Sequence, residues 1–166
     1  MNPKDHPLFK LHPSSTALIS VGEVPTPYQI YAGYGTFIGG FAELKVVRQF
    51  LKDESVVPVQ NDEGKALMGL WVCDFTDASL DPHHELQISF LTSRTEIQPL
   101  PSYPLSVLIA MLTHPEIEML CHGLWNNTSK VVAFNRELLS LNARLSTGKI
   151  QKSCTSMTFV FHNAST

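Results

Sequence analysis

The stretch Ala66-Leu67-Met68-Gly69-Leu70-Trp71-Val72-Cys73-Asp74-Phe75 decides the fold together with His83-His84-Glu85-Leu86-Gln87-Ile88-Ser89-Phe90-Leu91-Thr92, which follows it after the turn residues Asp77 to Pro82. The first segment is apolar on both alternating sides, with Leu67, Gly69, Trp71 and Cys73 on one and Met68, Leu70 and Val72 on the other. A strand covered on both faces has this pattern. In the second segment His84, Leu86, Ile88 and Phe90 alternate with His83, Glu85, Gln87 and Ser89. One face is therefore core, and the polar face meets either bulk water or a wet cavity. So short a connection, about seven residues rich in turn formers, predicts that the two strands are neighbours.

Outward from this pair, Tyr28 to Ile38 carries aromatic and β-branched residues around Gly33 and Gly35, a strand pattern that Gly39-Gly40 breaks. Phe41, Leu44, Val47 and Leu51 recur at helical spacing, with Lys45, Arg48 and Lys52 outside, so a short amphipathic helix is expected there. Val56 to Val59 reads as a strand. Pro99, Pro101 and Pro104 link to Leu105 to Leu112, which fits either strand or helix. Thr113-His114-Pro115-Glu116 has the form of a helix start, predicting a helix from Thr113 to Trp125 with Ile117, Leu120 and Leu124 buried. Asn126 to Ser129 ends it, Val131 to Phe134 is expected as a strand, Arg136 to Leu141 as a turn or two of helix, and Thr155 to Phe161 as the last strand. Residues 1–27 hold Pro3, Pro7, Pro13, Pro25 and Pro27 and read as an extended arm, leaving 28–166 as one domain. The class expected is α+β, mainly antiparallel β with a few short helices.

Composition narrows the functions. The chain has 166 residues, 43% of them apolar and 16% charged, the latter well below the roughly 25% of ordinary soluble domains. That balance fits an apolar binding cavity or a buried oligomer interface, and a homo-oligomer is expected. Twelve basic residues within a net charge of −3 form no footprint for a phosphate backbone, so no nucleic-acid partner is expected. The longest apolar run, Val107 to Leu112, falls far short of the roughly 20 residues of a membrane span. The amino terminus has no apolar signal region, and a cytoplasmic protein without a membrane partner is expected. Cys73, Cys121 and Cys154 are too widely spaced for a zinc site and read as reduced thiols.

Two spots carry candidate chemistry. His83-His84-Glu85 contains ordinary metal ligands, but adjacent strand residues point to opposite faces, which leaves only His83 and Glu85 on one side. A surface or hydrogen-bonded His pair is the preferred reading, and neither metal nor cofactor is expected. Lys130, just before Val131-Val132-Ala133-Phe134, is the lysine whose setting best suits desolvation, although most lysines beside apolar runs extend to water.

Taken from Glu43 to Thr92 as a unit, the chain offers a helix, Val57-Pro58-Val59, the strand Leu70 to Phe75, then Thr76-Asp77-Ala78-Ser79-Leu80-Asp81-Pro82-His83-His84-Glu85-Leu86. This resembles the acetoacetate decarboxylase family, in which a polar turn leads through S-x-L-G-P-Y-x-E to a pocket glutamate. Ser79, Leu80 and Pro82 match, Asp81 replaces the Gly, His84 stands near the Tyr, and Glu85 matches the glutamate. Gly123-Leu124-Trp125-Asn126-Asn127-Thr128-Ser129-Lys130 is similar to the family's E-L-x-G-x-P-K segment, with one extra residue and without its Glu and Pro. The family's arginine after the first Pro-Tyr is absent, since Gln29, Ala32, Gly33 and Tyr34 follow Pro27-Tyr28. The chain is also shorter than typical members, so the final strands are expected to be missing or supplied by a partner.

The resemblance implies a cone- or barrel-like sheet. It implies a lyase-type enzyme acting on a small keto acid or ketone through a Schiff base on Lys130. Glu85 would position or protonate the substrate, and His83, Gln87, Trp71 and Tyr34 would line its site. Decarboxylation is the family reaction; the missing arginine, a natural partner of a substrate carboxylate, points to aldol, dehydration or cyclisation chemistry. The competing reading is a non-catalytic protein of the same fold that binds a small apolar ligand or serves as an accessory subunit.

Overall fold

The computed structural model describes residues 2–10, 14–103, 105–153 and 156–163. Cys154, Thr155, Pro13 and Pro104, used above, lie outside them. Nine strands and three α-helices occur among the described residues. They are β1 (Ser15–Ile19), β2 (Gly22–Thr26), β3 (Ile30–Glu43), α1 (Leu44–Phe50), β4 (Val57–Pro58), β5 (Lys65–Ala78) and β6 (His83–Ser93), then α2 (Ser106–Thr113), β7 (Ile117–Asn126), α3 (Ser129–Glu137), β8 (Ala143–Lys152) and β9 (Met157–Asn163). The class is α+β with mainly antiparallel strands. β1 and β2 form a hairpin; the larger sheet has the order β3-β5-β6-β7-β8-β9, with β4 also on β6. β5 and β6 are neighbours, as their connecting turn requires.

Several segments depart from expectation. β3 runs on through Gly39-Gly40, where a break was expected, and takes in Phe41, so that α1 starts only at Leu44. Residues 117–126 form a strand, because Thr113 closes α2 instead of opening a helix: its Oγ1 donates to the Ile109 carbonyl at 2.8 Å, and extended His114 ends the helix before Pro115. The Pro that resembled a first-turn residue is a residue just past a helix end, a place where Pro is equally common. Residues 129–137 form a helix, capped by the Thr128 hydroxyl accepting from Val131 N at 3.4 Å. Val131 to Asn135 are all buried, and the polar residues Ser129, Lys130, Arg136 and Glu137 stand only at the helix ends, so the middle of its sequence mimics a buried strand. α3 is also required by topology: β7 and β8 pair in parallel, Leu124 opposite Ala143, and parallel neighbours need a crossover connection. β8, which no alternation announced, pairs antiparallel with β9 over Ser146 to Lys152.

The chain gathers into two compact units, one of residues 1–36, 72–86 and 123–166, the other of 37–71 and 87–122. In the first, Ile19, Val24, Leu80, Val131, Ala133 and Phe134 form the core, with Tyr28 packed against it. The β1–β2 hairpin therefore contributes two core residues from the stretch read as an extended arm. In the second, Val59, Leu67, Leu91, Val107 and Ala110 form one cluster and Val47, Leu51, Ala66 and Phe90 another. No helix among the described residues is long and apolar enough to cross a membrane.

Candidate functional site

The first unit holds the turn that enters β6. Ser79 fixes it by accepting from Gln29 N through Oγ at 2.9 Å and donating its own N–H to the Gln29 carbonyl at 2.8 Å. Leu80 is fully buried in the core beneath. Asp81 has φ +70, a left-handed conformation that Gly adopts freely and Asp tolerates better than most residues.

His83 is 2% exposed. Its Nδ1 lies 2.9 Å from the Asp81 carbonyl, which can only accept, so Nδ1 carries the proton and Nε2 is left to accept from the Tyr28 hydroxyl at 2.8 Å. Phe75 packs on the imidazole at a ring separation of 5.0 Å. Burial pushes the His83 pKa down, against the pull of the Asp81 carbonyl, and a neutral ring satisfies both hydrogen bonds.

Glu85 follows on the same face of β6. Its Oε2 accepts from Asn126 Nδ2 at 3.0 Å, and its Oε1 takes no hydrogen bond from any described residue. Burial pushes the carboxyl above its usual range, and the Asn126 donor only partly offsets this. The thiol of Cys73 is pushed up to about 11 by burial and then by the Glu85 charge. The Tyr28 phenol is raised by burial first, then by Glu85 and Cys73. Tyr28 and His83 are thus joined by a hydrogen bond, and Cys73 and Glu85 lie close enough to act on Tyr28 electrostatically.

The opposite face of the same strands carries different partners. His84 Nε2 is 3.4 Å from Asp74 Oδ1, and its Nδ1 donates to the Gly148 carbonyl at 3.2 Å. The Tyr34 hydroxyl bonds to Asp74, which raises its pKa, and the Lys152 ammonium lies 4.5 Å from the Tyr34 ring centre. Tyr34 is therefore turned away from Glu85. Lys130, in the first turn of α3, is ion-paired with the Asp81 carboxylate, with 42% and 67% of the two side chains exposed. Gln87 and Trp71 belong to the second unit, where Gln87 donates to Ser89 Oγ at 2.7 Å and Trp71 donates to Met119 Sδ at 3.4 Å. The structure thus joins Glu85 to His83 through shared surroundings and gives Tyr34, Lys130, Gln87 and Trp71 other partners.

Tyr28, Asn126 and Asn135 are members of the site that sequence reasoning missed. Asn135 Nδ2 donates to Asn126 Oδ1 at 3.1 Å, so the two amides continue inward from Glu85. The available signal was an Asn closing the otherwise apolar run Val131 to Phe134. Among the described residues no group of three or more His, Cys, Asp or Glu is placed to hold a metal ion.

No family model and no curated protein matches the chain. Among solved structures it is similar to the enduracididine biosynthesis enzyme MppR complexed with the condensation product of pyruvate and imidazole 4-carboxaldehyde. The TM-score is 0.44 at 10% identity, over 75% of this chain and 42% of that one. The chain thus spans less than half the length of that protein, and a likeness of this strength carries neither membership of a family nor an activity.

Proposed function

We propose that the chain is a lyase-type enzyme acting on a small keto acid or ketone, with Glu85 as its proton-transfer group. The observation that supports this most is the state of that carboxyl: half-buried, held by a protein donor at one oxygen only, and shifted above its usual range by desolvation, as a proton-transfer group requires. The Ser79-to-Glu85 resemblance supports the substrate class. In this reading Lys130 forms the Schiff base, which requires its amine to be neutral and to leave Asp81.

The experiment is borohydride trapping with acetoacetate or another β-keto acid. A stable mass on the peptide containing Lys130, lost in Lys130→Ala, together with turnover that collapses in Glu85→Gln, is the expected result. Absence of an adduct with turnover intact removes the Schiff base and keeps Glu85. Absence of both favours the second reading, a protein that binds a small apolar ligand without covalent chemistry. The Lys130–Asp81 ion pair is the specific observation on that side, since an ammonium held by a carboxylate is not a nucleophile.

A further inference from the structure

Asn135 is an unusual residue for its place. It sits in a helix, where Asn is a weak former, and is 5% exposed among Val131, Val132, Ala133 and Phe134. Asn126, the residue it touches, is 0% exposed. Two buried amides lose free energy unless their ends are matched, donor to acceptor. Here they form a chain with direction: Asn135 Nδ2 to Asn126 Oδ1, then Asn126 Nδ2 to Glu85 Oε2.

That direction suits an ionised Glu85, which can only accept. A protonated Glu85 offers an O–H beside its carbonyl oxygen, and with the proton on Oε2, the oxygen that meets Asn126, the same three groups match in reverse: Glu85 O–H to Asn126 Oδ1, Asn126 Nδ2 to Asn135 Oδ1. An amide supports both because it carries a donor at one end and an acceptor at the other, related by a half-turn. We propose that Asn126 and Asn135 form an amide relay that turns end for end as Glu85 gains or loses its proton. This makes Asn135 a positioning residue for Glu85, and the proposal rests on Glu85 being the group that transfers protons. The proton itself passes between Glu85 and its substrate or solvent; the relay moves none and only changes which end of each amide faces the carboxyl.

The other ionisable groups facing Glu85 do not compete with the relay in its pH range. Cys73, raised to about 11, and Tyr28, raised as well, stay protonated through neutrality, and His83, lowered, stays uncharged there. The remaining ionisable pairs on these elements are His84 with Asp74, on the other face of β6 and β5, and Lys130 with Asp81, which is exposed.

The test is NMR of the full chain, following the Glu85 carboxyl carbon and the side-chain amide nitrogens of Asn126 and Asn135 through a pH titration. The relay predicts that Asn135, which does not touch Glu85, titrates with the same midpoint as Glu85. A titrating Asn126 beside a flat Asn135 overturns it. In Asn135→Asp the partner on α3 can only accept once ionised, which holds Asn126 with its oxygen toward Glu85, so the Glu85 midpoint moves to higher pH. Direct charge repulsion acts in the same sense, and Asn126→Leu isolates it: the relay predicts that most of the Asn135→Asp shift disappears in that background. A shift of equal size in both backgrounds overturns the proposal. These readings need no turnover, so a failed activity assay leaves them standing, and a flat Asn135 leaves the role of Glu85 standing.

Discussion

Leu80→Ala tests the packing that supports the Glu85 turn. Leu80 is 0% exposed and packs with Ile19, Val24, Val131, Ala133 and Phe134, so it fastens the 79–82 turn to the β1–β2 hairpin and to α3. Shortening Leu to Ala removes three carbon groups worth about 0.8 kcal/mol each in transfer alone. The neighbours come from three separate elements and cannot all close on the void, which adds a cavity cost and brings the expected loss to about 3–4 kcal/mol. Urea unfolding followed by Trp125 fluorescence in a Trp71→Phe background measures it, because Trp125 belongs to the same unit. Leu112→Ala is the control: that side chain is 75% exposed, and its loss should cost at most about 0.5 kcal/mol. A Leu80→Ala loss below about 1 kcal/mol, or one equal to the control, would refute the claim that this turn is anchored by its leucine.

Two further outcomes follow from single contacts. A Cβ added at Gly33 would lie 2.7 Å from the Asp74 carbonyl oxygen and 3.1 Å from Phe75 Cα, both backbone, so Gly33→Ala should lower the urea midpoint by the equivalent of about 1–3 kcal/mol. An unchanged midpoint would mean that β3 does not approach this stretch of β5. Glu85→Gln should raise thermal stability at pH 8 and leave it unchanged at pH 4. Burial raises the folded carboxyl pKa above the unfolded one, so the folded state binds the proton more tightly, and the stability this contributes is present below the unfolded value and lost as pH rises through the folded value. Calorimetry at the two pH values checks it, and a variant less stable than wild type at pH 8 would contradict a buried, upward-shifted carboxyl.

Alternation and length were enough to read β5 and β6 as long neighbouring strands, but burial along β6 does not follow the alternation: His83 and Ser89 of the polar side are buried, whereas His84, Leu86 and Ile88 of the expected core side are half-buried. The carboxy-terminal half was misread where patterns are degenerate. A buried helix such as α3 and a buried strand both appear as short apolar runs, and only the Thr128 cap distinguishes them. A Pro near a capping residue marks a helix beginning or a helix end equally well, which turned β7 into an expected helix. β8, rich in Lys, Arg, Ser and Thr, owes its strand form to pairing with β7 and β9, a tertiary cause that its own residues do not announce. The site was legible to the same extent. Glu85 lies on a readable strand beside a matching motif, whereas Asn126 and Asn135 lie on the two elements whose types were exchanged, so no reading of that register brought them to Glu85.

Asp81 shows why the resemblance and the structure meet at the turn and separate at the lysine. A left-handed residue there is a backbone requirement of the entry into β6, and its carbonyl, so placed, selects the His83 tautomer that accepts from Tyr28. Gly would meet both requirements without adding a side chain. Asp meets them too, but it also brings a carboxylate, and that carboxylate holds Lys130. The replacement is therefore neutral for the geometry of His83 and Glu85 and consequential for the amine. A half-buried carboxyl on β6 shifted upward and an exposed amine on α3 ion-paired with the turn before β6 are opposite electrostatic states. Proton transfer at Glu85 is compatible with both at once; iminium formation is not, since it needs the lysine desolvated and unpaired. In the proposed reading, therefore, the side chain at residue 81 decides how far the lysine takes part.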